Sequence, residues 1–175
     1  MTEDNYRPTI LIVDDEEMVV TSLRNLFRLQ TDYHIVTYNL PEKALEDAGK
    51  VMVDLVITDY LMPRIDGISF LARFKEIQPH AVRVLLTGYA DKENAIKAIN
   101  HVGLYQYIEK PWDNEALLMV VKNGLEKRGL LRALEKKIAE LDQAHTSLKS
   151  IQTELIKAFM YVWSSAFRLH GFSTG

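Results

Sequence analysis

Short apolar runs alternate five times with amphipathic segments over the first 127 residues of the chain. The first run, Thr9–Val13, is an unbroken stretch of β-branched residues and leucine, as expected for a strand covered by helices on both faces. The next segment, Met18–Leu29, carries apolar residues at helical spacing. Alternation of this kind with short connections predicts an α/β fold with a five-stranded, doubly wound parallel sheet. The other predicted strands are His34–Tyr38, Asp54–Thr58, Val82–Leu86 and Tyr105–Ile108, and the other predicted helices are Pro41–Ala48, Gly67–Ile77, Asp91–His101 and Trp112–Lys127.

Polar and charged residues follow four of the predicted strands at the point where each strand ends. Asp14 and Asp15 follow the first strand, and Asp59 follows the third. Thr87 follows the fourth strand, and Lys110 stands just beyond the fifth. In an open parallel sheet, ligands bind outside the carboxyl ends of the strands, where the strand order reverses. The sequence therefore predicts a pocket for a cation and a phosphate at this edge.

The residue types at this edge indicate phosphoryl chemistry. Asp14, Asp15 and Asp59 offer only oxygen ligands, which favours Mg²⁺ over zinc or copper. Asp59 can act as a nucleophile towards phosphorus and form an aspartyl phosphate. Lys110 and Thr87 can contact phosphoryl oxygens with a positive charge and a hydroxyl donor. The alternative for the first acidic pair is that it caps the helix that starts beside it.

Composition narrows the class of protein. The chain has 175 residues, a formal net charge of −3 and no cysteine. Disulfides and thiolate metal sites are therefore excluded, which suits a reducing cytosol. The net negative charge gives no broad attraction to nucleic acid or anionic membranes. The polar N-terminus is not a secretory signal. No run reaches the roughly 18 apolar residues of a membrane span. We expect a soluble, cytoplasmic protein that binds neither nucleic acid nor membranes directly.

Four phrases of the sequence together resemble the receiver domain of two-component response regulators. The resemblance covers residues 8–127 and implies a flavodoxin-like receiver fold. It also implies that Asp59 accepts a phosphoryl group from a sensor histidine kinase, and that the chain is a switch whose only enzymatic activity is slow hydrolysis of its own aspartyl phosphate. The phrases are Ile-Val-Asp-Asp at 12–15, Thr-Asp-Tyr-Leu-Met-Pro-Arg-Ile-Asp-Gly at 58–67, Leu-Thr-Gly-Tyr-Ala at 86–90 and Tyr-Ile-Glu-Lys-Pro-Trp at 107–112.

The resemblance assigns a role to each residue of the magnesium site. Asp15 and Asp59 would bind Mg²⁺ directly, and Asp14 would act through a water molecule. The backbone carbonyl of Leu61 would complete the protein ligands. These assignments follow from the positions that match the receiver pattern.

The resemblance also assigns the residues that hold and sense the phosphoryl group. Thr87 and Lys110 would contact its oxygens, and the Lys110–Pro111 peptide should be cis, a state essentially limited to proline. Tyr107 stands where receivers carry an aromatic residue that moves inward when the threonine approaches the phosphate. Thr87 and Tyr107 are therefore the predicted switch residues; the alternative for Tyr107 is an ordinary strand tyrosine.

Beyond Lys127 the pattern changes to that of a coiled coil. Apolar residues recur at alternating spacings of three and four, and placing Leu131 at heptad position a puts leucine at d in four successive heptads. His145 and Gln152 are polar residues at a. We predict a coiled-coil helix over residues 128–169 that forms a parallel homodimer; the alternative is one amphipathic helix lying on its own domain. The leucines at d are Leu134, Leu141, Leu148 and Leu155.

The output of the switch is the least constrained prediction. No helix-turn-helix or phosphate-binding loop follows the receiver-like part. The phrases at 88–91 and 110–113 resemble receivers joined to HD-GYP cyclic di-GMP phosphodiesterases or to hydrogenase-type transcriptional activators, and the tail at 170–175 resembles a truncation before an output domain. Three alternatives remain: a switch acting through the coiled coil on an output module, a freestanding interaction module, and the regulatory portion of such a phosphodiesterase or activator.

Overall fold

The computed structural model describes residues 6–88, 96 and 101–170, and contains a five-stranded parallel sheet in the order β2-β1-β3-β4-β5. This confirms the predicted fold class. The predicted helix Asp91–His101 lies mostly outside the described residues, of which Ile96 and His101 are helical. The strands are β1 Thr9–Val13, β2 His34–Tyr38, β3 Leu55–Asp59, β4 Val82–Thr87 and β5 Gln106–Glu109; the helices are α1 Glu17–Gln30, α2 Pro41–Asp47, α3 Gly67–Ile77 and α4 Asn114–His170.

Each face of the sheet carries its own hydrophobic cluster because successive strand residues point to opposite sides. Leu11 and Val13 of β1 pack in the cluster that contains α2 and α3 residues. Ile10 and Ile12 pack in the cluster that contains α1 and the first turns of α4. This double coverage explains why β1 and β3 are apolar at nearly every position. The helical core residues are Phe70, Leu71 and Phe74 of α3, Leu23 and Phe27 of α1, and Leu117, Val121 and Leu125 of α4.

The order of the strands determines where a ligand can bind. The chain passes from β1 to β2 at one side and then returns to β3 at the other side of β1. Val13 of β1 lies opposite Thr58 of β3, so the residues that follow each strand meet at the same edge. Ligands of doubly wound sheets bind at this reversal of strand order.

Five boundaries in three strands differ by one residue from the prediction: both ends of β3, both ends of β5 and the carboxyl end of β4. Asp59 and Thr87 are the last residues of β3 and β4 and do not follow them, and β5 starts at Gln106. The reason is register: Asp59 lies opposite Leu86, and the amide of Tyr60 donates to the carbonyl of Leu86 at 2.8 Å. Strand pairing therefore fixes the backbone on which the predicted nucleophile stands.

Two buried charged side chains fasten the opposite, amino-terminal edge of the sheet. The guanidinium of Arg83 in β4 donates to the carbonyls of Pro79, Ala81 and Gly103 at 3.1, 2.9 and 3.2 Å. Burial lowers the pKa of Arg83. Gly103 has a φ of +64°, and a Cβ there would approach the guanidinium to 3.1 Å, so both the backbone and the close contact favour glycine. On the other side, the Asp54 carboxylate accepts the Thr9 amide at 2.8 Å.

The chain divides into two units, Met1–Gly129 and Leu130–Gly175. In the second unit, the described residues up to His170 belong to α4, and the large apolar side chains from Leu130 to Phe167 are exposed. Helix α4 therefore begins at Asn114, where the predicted fifth helix was placed at Trp112, and continues through the predicted coiled-coil region. Among the described residues, no helix combines the length and apolarity needed to cross a membrane.

The contact between α3 and β3 yields a first prediction. A Cβ on Gly67 would lie 2.1 Å from the carbonyl oxygen of Asp59 and 2.9 Å from Leu85 Cδ1. We expect Gly67→Ala to lower the free energy of unfolding by about 1–3 kcal/mol or more, because backbone must move to accept the methyl group. Gly49→Ala is the matched control, since nothing lies within 4 Å of its Cβ. Urea denaturation of both variants measures their free energies of unfolding. Equal values for Gly67→Ala and Gly49→Ala would contradict the prediction.

Candidate phosphoryl and metal site

Asp14 is held rigidly at the end of β1. Its side chain is fully buried, and one carboxylate oxygen accepts the Glu16 amide at 2.8 Å. Its own amide donates to the Tyr38 carbonyl at 3.2 Å, and its carbonyl accepts from Asn39 Nδ2 at 3.2 Å. The loop after β2 thus helps to fix the acidic loop after β1.

The three predicted metal ligands lie together. Carboxylate oxygens of Asp14, Asp15 and Asp59 all lie within 4.8 Å of one another. Asp14 and Asp59 are buried and Asp15 is exposed, so the cluster is anchored in the protein and open on one side. An all-oxygen donor set of this size suits a hard divalent cation that keeps several water ligands. The residues present therefore fit a magnesium ion.

Lys110 provides the positive charge at the centre of the cluster. Its ammonium lies 2.8 Å from Asp59 Oδ1, 3.2 Å from Asp14 Oδ2 and 3.9 Å from Glu16 Oε1. Its amide donates to the Thr87 carbonyl at 2.9 Å, which ties it to the end of β4. The Lys110–Pro111 peptide is cis, as predicted.

Burial and crowding disfavour ionisation of the two acids. Burial raises the pKa of Asp59, and the hydrogen bond and charge of Lys110 only partly oppose this effect. Burial likewise raises the pKa of Asp14, opposed by the Glu16 amide and Lys110 and reinforced by Asp59. For Lys110, burial lowers the pKa, but the hydrogen bond to Asp59 and the two nearby carboxylates outweigh it and raise the pKa. One lysine thus leaves the carboxylates incompletely compensated, which favours binding of a further cation.

The helix-cap alternative for the first acids does not describe the structure. Glu16 is the N-cap residue of α1, but no side-chain hydrogen bond caps this helix. Asp15 is exposed and belongs to the group of three acids whose oxygens lie close enough together to hold a metal ion. The acids at the end of β1 are therefore available to a ligand.

The remaining predicted residues lie around this cluster. The buried Thr87 hydroxyl donates to the Gly88 carbonyl at 3.1 Å. Tyr107 of β5 lies opposite Leu85 and packs, partly buried, against the cluster that contains α3. Leu61 follows β3 by two residues, with a side chain that is 64% exposed. Their roles in metal binding and switching stay predictions.

Two residues of the site were missed by the sequence analysis. Glu16 was not among the predicted site residues, yet its carboxylate lies 3.9 Å from the Lys110 ammonium. Asn39 supports the Asp14 carbonyl, and the signal for it was its position directly after β2, at the same edge as the other site residues.

The raised pKa of Asp59 yields a prediction for the metal-free protein. We expect Asp59→Asn to raise the free energy of unfolding at neutral pH, because it removes a carboxylate whose ionisation burial penalises. A folded-state pKa above the ordinary 3.8 means that the folded state binds more protons than the unfolded state. The gain should therefore be complete above the folded-state pKa and shrink as the pH falls towards 3.8.

Urea denaturation in the presence of a chelator, at a series of pH values, measures this gain. Asp32→Asn is the control. The Asp32 side chain is 98% exposed, and its 3.7 Å ion pair with Arg7 lies at the surface, where such pairs contribute little to stability. Added Mg²⁺ should stabilise the wild type more than Asp59→Asn. A variant less stable than the wild type at neutral pH would contradict the prediction.

Comparison with known proteins gives the family. Residues 10–122 match the response regulator receiver domain. The hydrogenase transcriptional regulatory protein HoxA of Cupriavidus necator is 34% identical over 70% of this chain and 25% of its own length, and the regulatory protein AtoC of Escherichia coli is 36% identical over 77% and 28%. The chain thus spans about a quarter of the length of these relatives.

Solved structures agree with this relationship. The signal receiver domain of an HD domain-containing protein from Pseudomonas fluorescens is 35% identical, covers 71% of this chain and 98% of its own, and superposes with a TM-score of 0.67. A receiver domain protein from Clostridium thermocellum has the same TM-score and coverage at 29% identity. The shared fold, the matched residues and the acidic cluster beside Lys110 lead to one conclusion: this chain belongs to the response regulator receiver domain family.

Proposed function

We propose that Asp59 accepts a phosphoryl group from a sensor histidine kinase. The observation that carries the proposal is the position of Asp59, buried at the end of β3, with its carboxylate 2.8 Å from the Lys110 ammonium and within 4.8 Å of two further acids. In the transfer, an Asp59 oxygen bonds to phosphorus while the bond to the donor histidine nitrogen breaks. We also propose a cytoplasmic location for this protein, which the absence of cysteine from the chain supports.

Asp15, Asp59 and the Leu61 carbonyl would hold Mg²⁺ directly, with Asp14 acting through a water molecule. When bound, the ion offsets the repulsion between the anionic nucleophile and the anionic donor. The fixed loop around Asp14 supports this assignment, because ligands must be held in place by surrounding contacts. Lys110 would exchange its ion pair with Asp59 for a contact with a phosphoryl oxygen.

Thr87 and Tyr107 would transmit the effect of phosphorylation to the rest of the domain through changes in their contacts. The Thr87 hydroxyl donates to its neighbour Gly88 and can instead donate to a phosphoryl oxygen. Tyr107 lies one strand away and is only partly buried, so it has room to change its packing when Thr87 moves. A local change of charge would in this way bias a two-state packing arrangement.

We further propose that α4 relays this change to a parallel coiled-coil dimer and an output module. Support comes from the apolar seam of the second unit, whose side chains are between 46 and 69% exposed in the single chain. Exposed leucine and isoleucine at heptad spacing indicate a helical partner. Lys137 pairs with Glu140 of its own helix and would also reach Asp142 of the partner chain. The seam residues in this range are Leu131, Leu134, Ile138, Leu141, Leu148 and Leu155.

The similar proteins suggest the class of output. HoxA is a hydrogenase transcriptional regulatory protein, and the Pseudomonas relative is the receiver of an HD domain-containing protein. We propose that this chain regulates an output of one of these two classes, either attached to it or as a separate partner. A freestanding adaptor role is the alternative, and enzymatic activity of the receiver is limited to slow loss of its own phosphoryl group.

Phosphorylation is the direct test of the proposed nucleophile. Incubation of the full chain with Mg²⁺ and acetyl phosphate should add one phosphoryl group, measured by intact-protein mass spectrometry. Asp59→Asn should abolish the addition, because an amide cannot form the acyl phosphate. Asp66→Asn is the matched control: Asp66 caps α3 through the Ser69 amide, a role that asparagine can also perform, so labelling should persist. Labelling of Asp59→Asn at the wild-type rate would overturn the assignment.

Cysteine cross-linking tests the proposed dimer, since the chain has no cysteine of its own. Leu134→Cys places one thiol at position d, where the two copies of a parallel coiled coil face each other. Mild oxidation should give a covalent dimer on a non-reducing gel. Ala133→Cys, one residue earlier at position c, should cross-link far less. Equal cross-linking of the two variants, or none in either, would contradict the parallel seam.

A further inference from the structure

A cavity of about 130 Å³ lies beside the edge strand β2, away from the acidic cluster. Residues of β1, β2, α2 and the loop that leads to β3 line it. Three of its lining residues are polar, namely Tyr38, Asp47 and Lys50. The apolar lining residues are Leu11, Val36, Ala44, Ala48, Val51 and Val53.

The cavity exists because the helical part of its wall consists of small residues. Ala44 and Ala48 lie four positions apart, so they share the inner face of α2 and of the turn that follows it. Both are buried. On the same side of the sheet, α3 contributes the large buried residues Phe70, Leu71 and Phe74 to the core. Alanine at positions 44 and 48 therefore leaves a space that a larger side chain would fill.

Hydrogen bonds fix the walls of the cavity. Gln78 Nε2 donates to the carbonyls of Ala48 and Val51 at 2.7 and 3.0 Å, which ties the loop before β3 to the end of α3. The Tyr38 hydroxyl donates to Asp47 Oδ2 at 2.9 Å, which ties β2 to α2. Because these bonds oppose collapse, the side chains that line the space lack packing partners on one side, and a ligand can supply them.

The polar lining residues form one cluster. The Asp47 carboxylate accepts hydrogen bonds from the Lys50 ammonium at 2.5 Å and from Tyr38, and these contacts lower the pKa of Asp47. An ionised carboxylate can accept about four hydrogen bonds, so Asp47 has capacity for a further donor. The ammonium of Lys50 offsets the charge of Asp47. The cluster therefore suits a neutral donor group better than an anion or a cation.

From this combination we infer that the cavity binds a small, neutral aromatic molecule that carries one hydroxyl or amino group. The volume fits a single ring, since an apolar cavity of roughly 150 Å³ binds benzene. The ring would contact the alanine and valine side chains, and its polar group would donate to Asp47. Binding there requires neither magnesium nor a phosphoryl group. The Tyr38 carbonyl accepts the Asp14 amide at 3.2 Å, so the ligand would contact a residue that supports the acidic loop.

Titration of the isotope-labelled full chain with phenol, followed by heteronuclear NMR, tests the site. The amide signals of Val36 and Ala44 should shift in a saturable manner. Ala48→Leu should abolish these shifts, because leucine fills the cavity. Ala116→Leu makes the same change at an exposed position of α4 and should preserve them. The absence of saturable shifts in the wild type, or wild-type shifts in Ala48→Leu, would overturn the inference.

Urea denaturation of the same variants shows whether the space is open. Ala48→Leu, and Ala44→Leu as a second filling variant, should unfold at the same urea concentration as the wild type or at a higher one, because the added side chain enters a cavity. A lower midpoint in both variants would show that leucine displaces packed neighbours, and would overturn the inference.

Toluene tests the polar contact, because it replaces the hydroxyl of phenol with a methyl group of similar size. Asp47→Asn should weaken phenol binding several-fold and leave toluene binding unchanged, since only phenol donates to the carboxylate. Glu46→Gln removes the charge of an exposed neighbour that does not line the cavity and should affect neither ligand. Equal effects of Asp47→Asn on both ligands, or no effect on either, would overturn the contact with Asp47.

Discussion

The site depends on one ammonium group that lies between two buried carboxylates. Lys110 comes from the residue after β5, Asp14 from the end of β1 and Asp59 from the end of β3. Bringing these groups out of water is unfavourable unless they compensate one another, and here the compensation is incomplete because acids outnumber the single lysine. A divalent cation and a phosphoryl group together would offset the excess negative charge of the acids and provide contact partners for the carboxylates and for Lys110. The sheet therefore maintains a pocket whose electrostatics are improved by its ligands.

The sequence allowed the sheet and the residues of the site to be predicted because both depend on local patterns. Runs such as Thr9–Val13 are apolar on both faces, and the polar residues that follow them must meet at one edge of a parallel sheet. The ends of β3 and β4 were predicted one residue too early, since strand pairing between Asp59 and Leu86 is not visible in either segment alone. Glu16 and Asn39 were missed because their contacts depend on the path of loops.

Helix α4 carries two different sequence patterns, and they correspond to its two environments. Up to Leu125 the helix contributes Leu117, Val121 and Leu125 to the receiver core. Gly124 allows close approach, since a Cβ there would lie 3.0 Å from Val82 Cγ1. From Leu130 onwards its apolar residues are exposed and follow heptads. The sequence showed this change of period, and the structure adds that a single helix, Asn114–His170, carries both patterns.

The buried arginine of β4 makes the two ends of this strand different in how firmly they are held. Arg83 fastens the start of this strand to the loops before β4 and β5 through three carbonyl groups, while Thr87 ends the same strand beside Asp59 and Lys110. Displacements that begin at Thr87 would meet a fixed backbone within four residues. They would therefore spread towards the neighbouring strand β5 and leave the far edge of the sheet unchanged. The proposed switch would in this way change one surface of the domain without loosening its core.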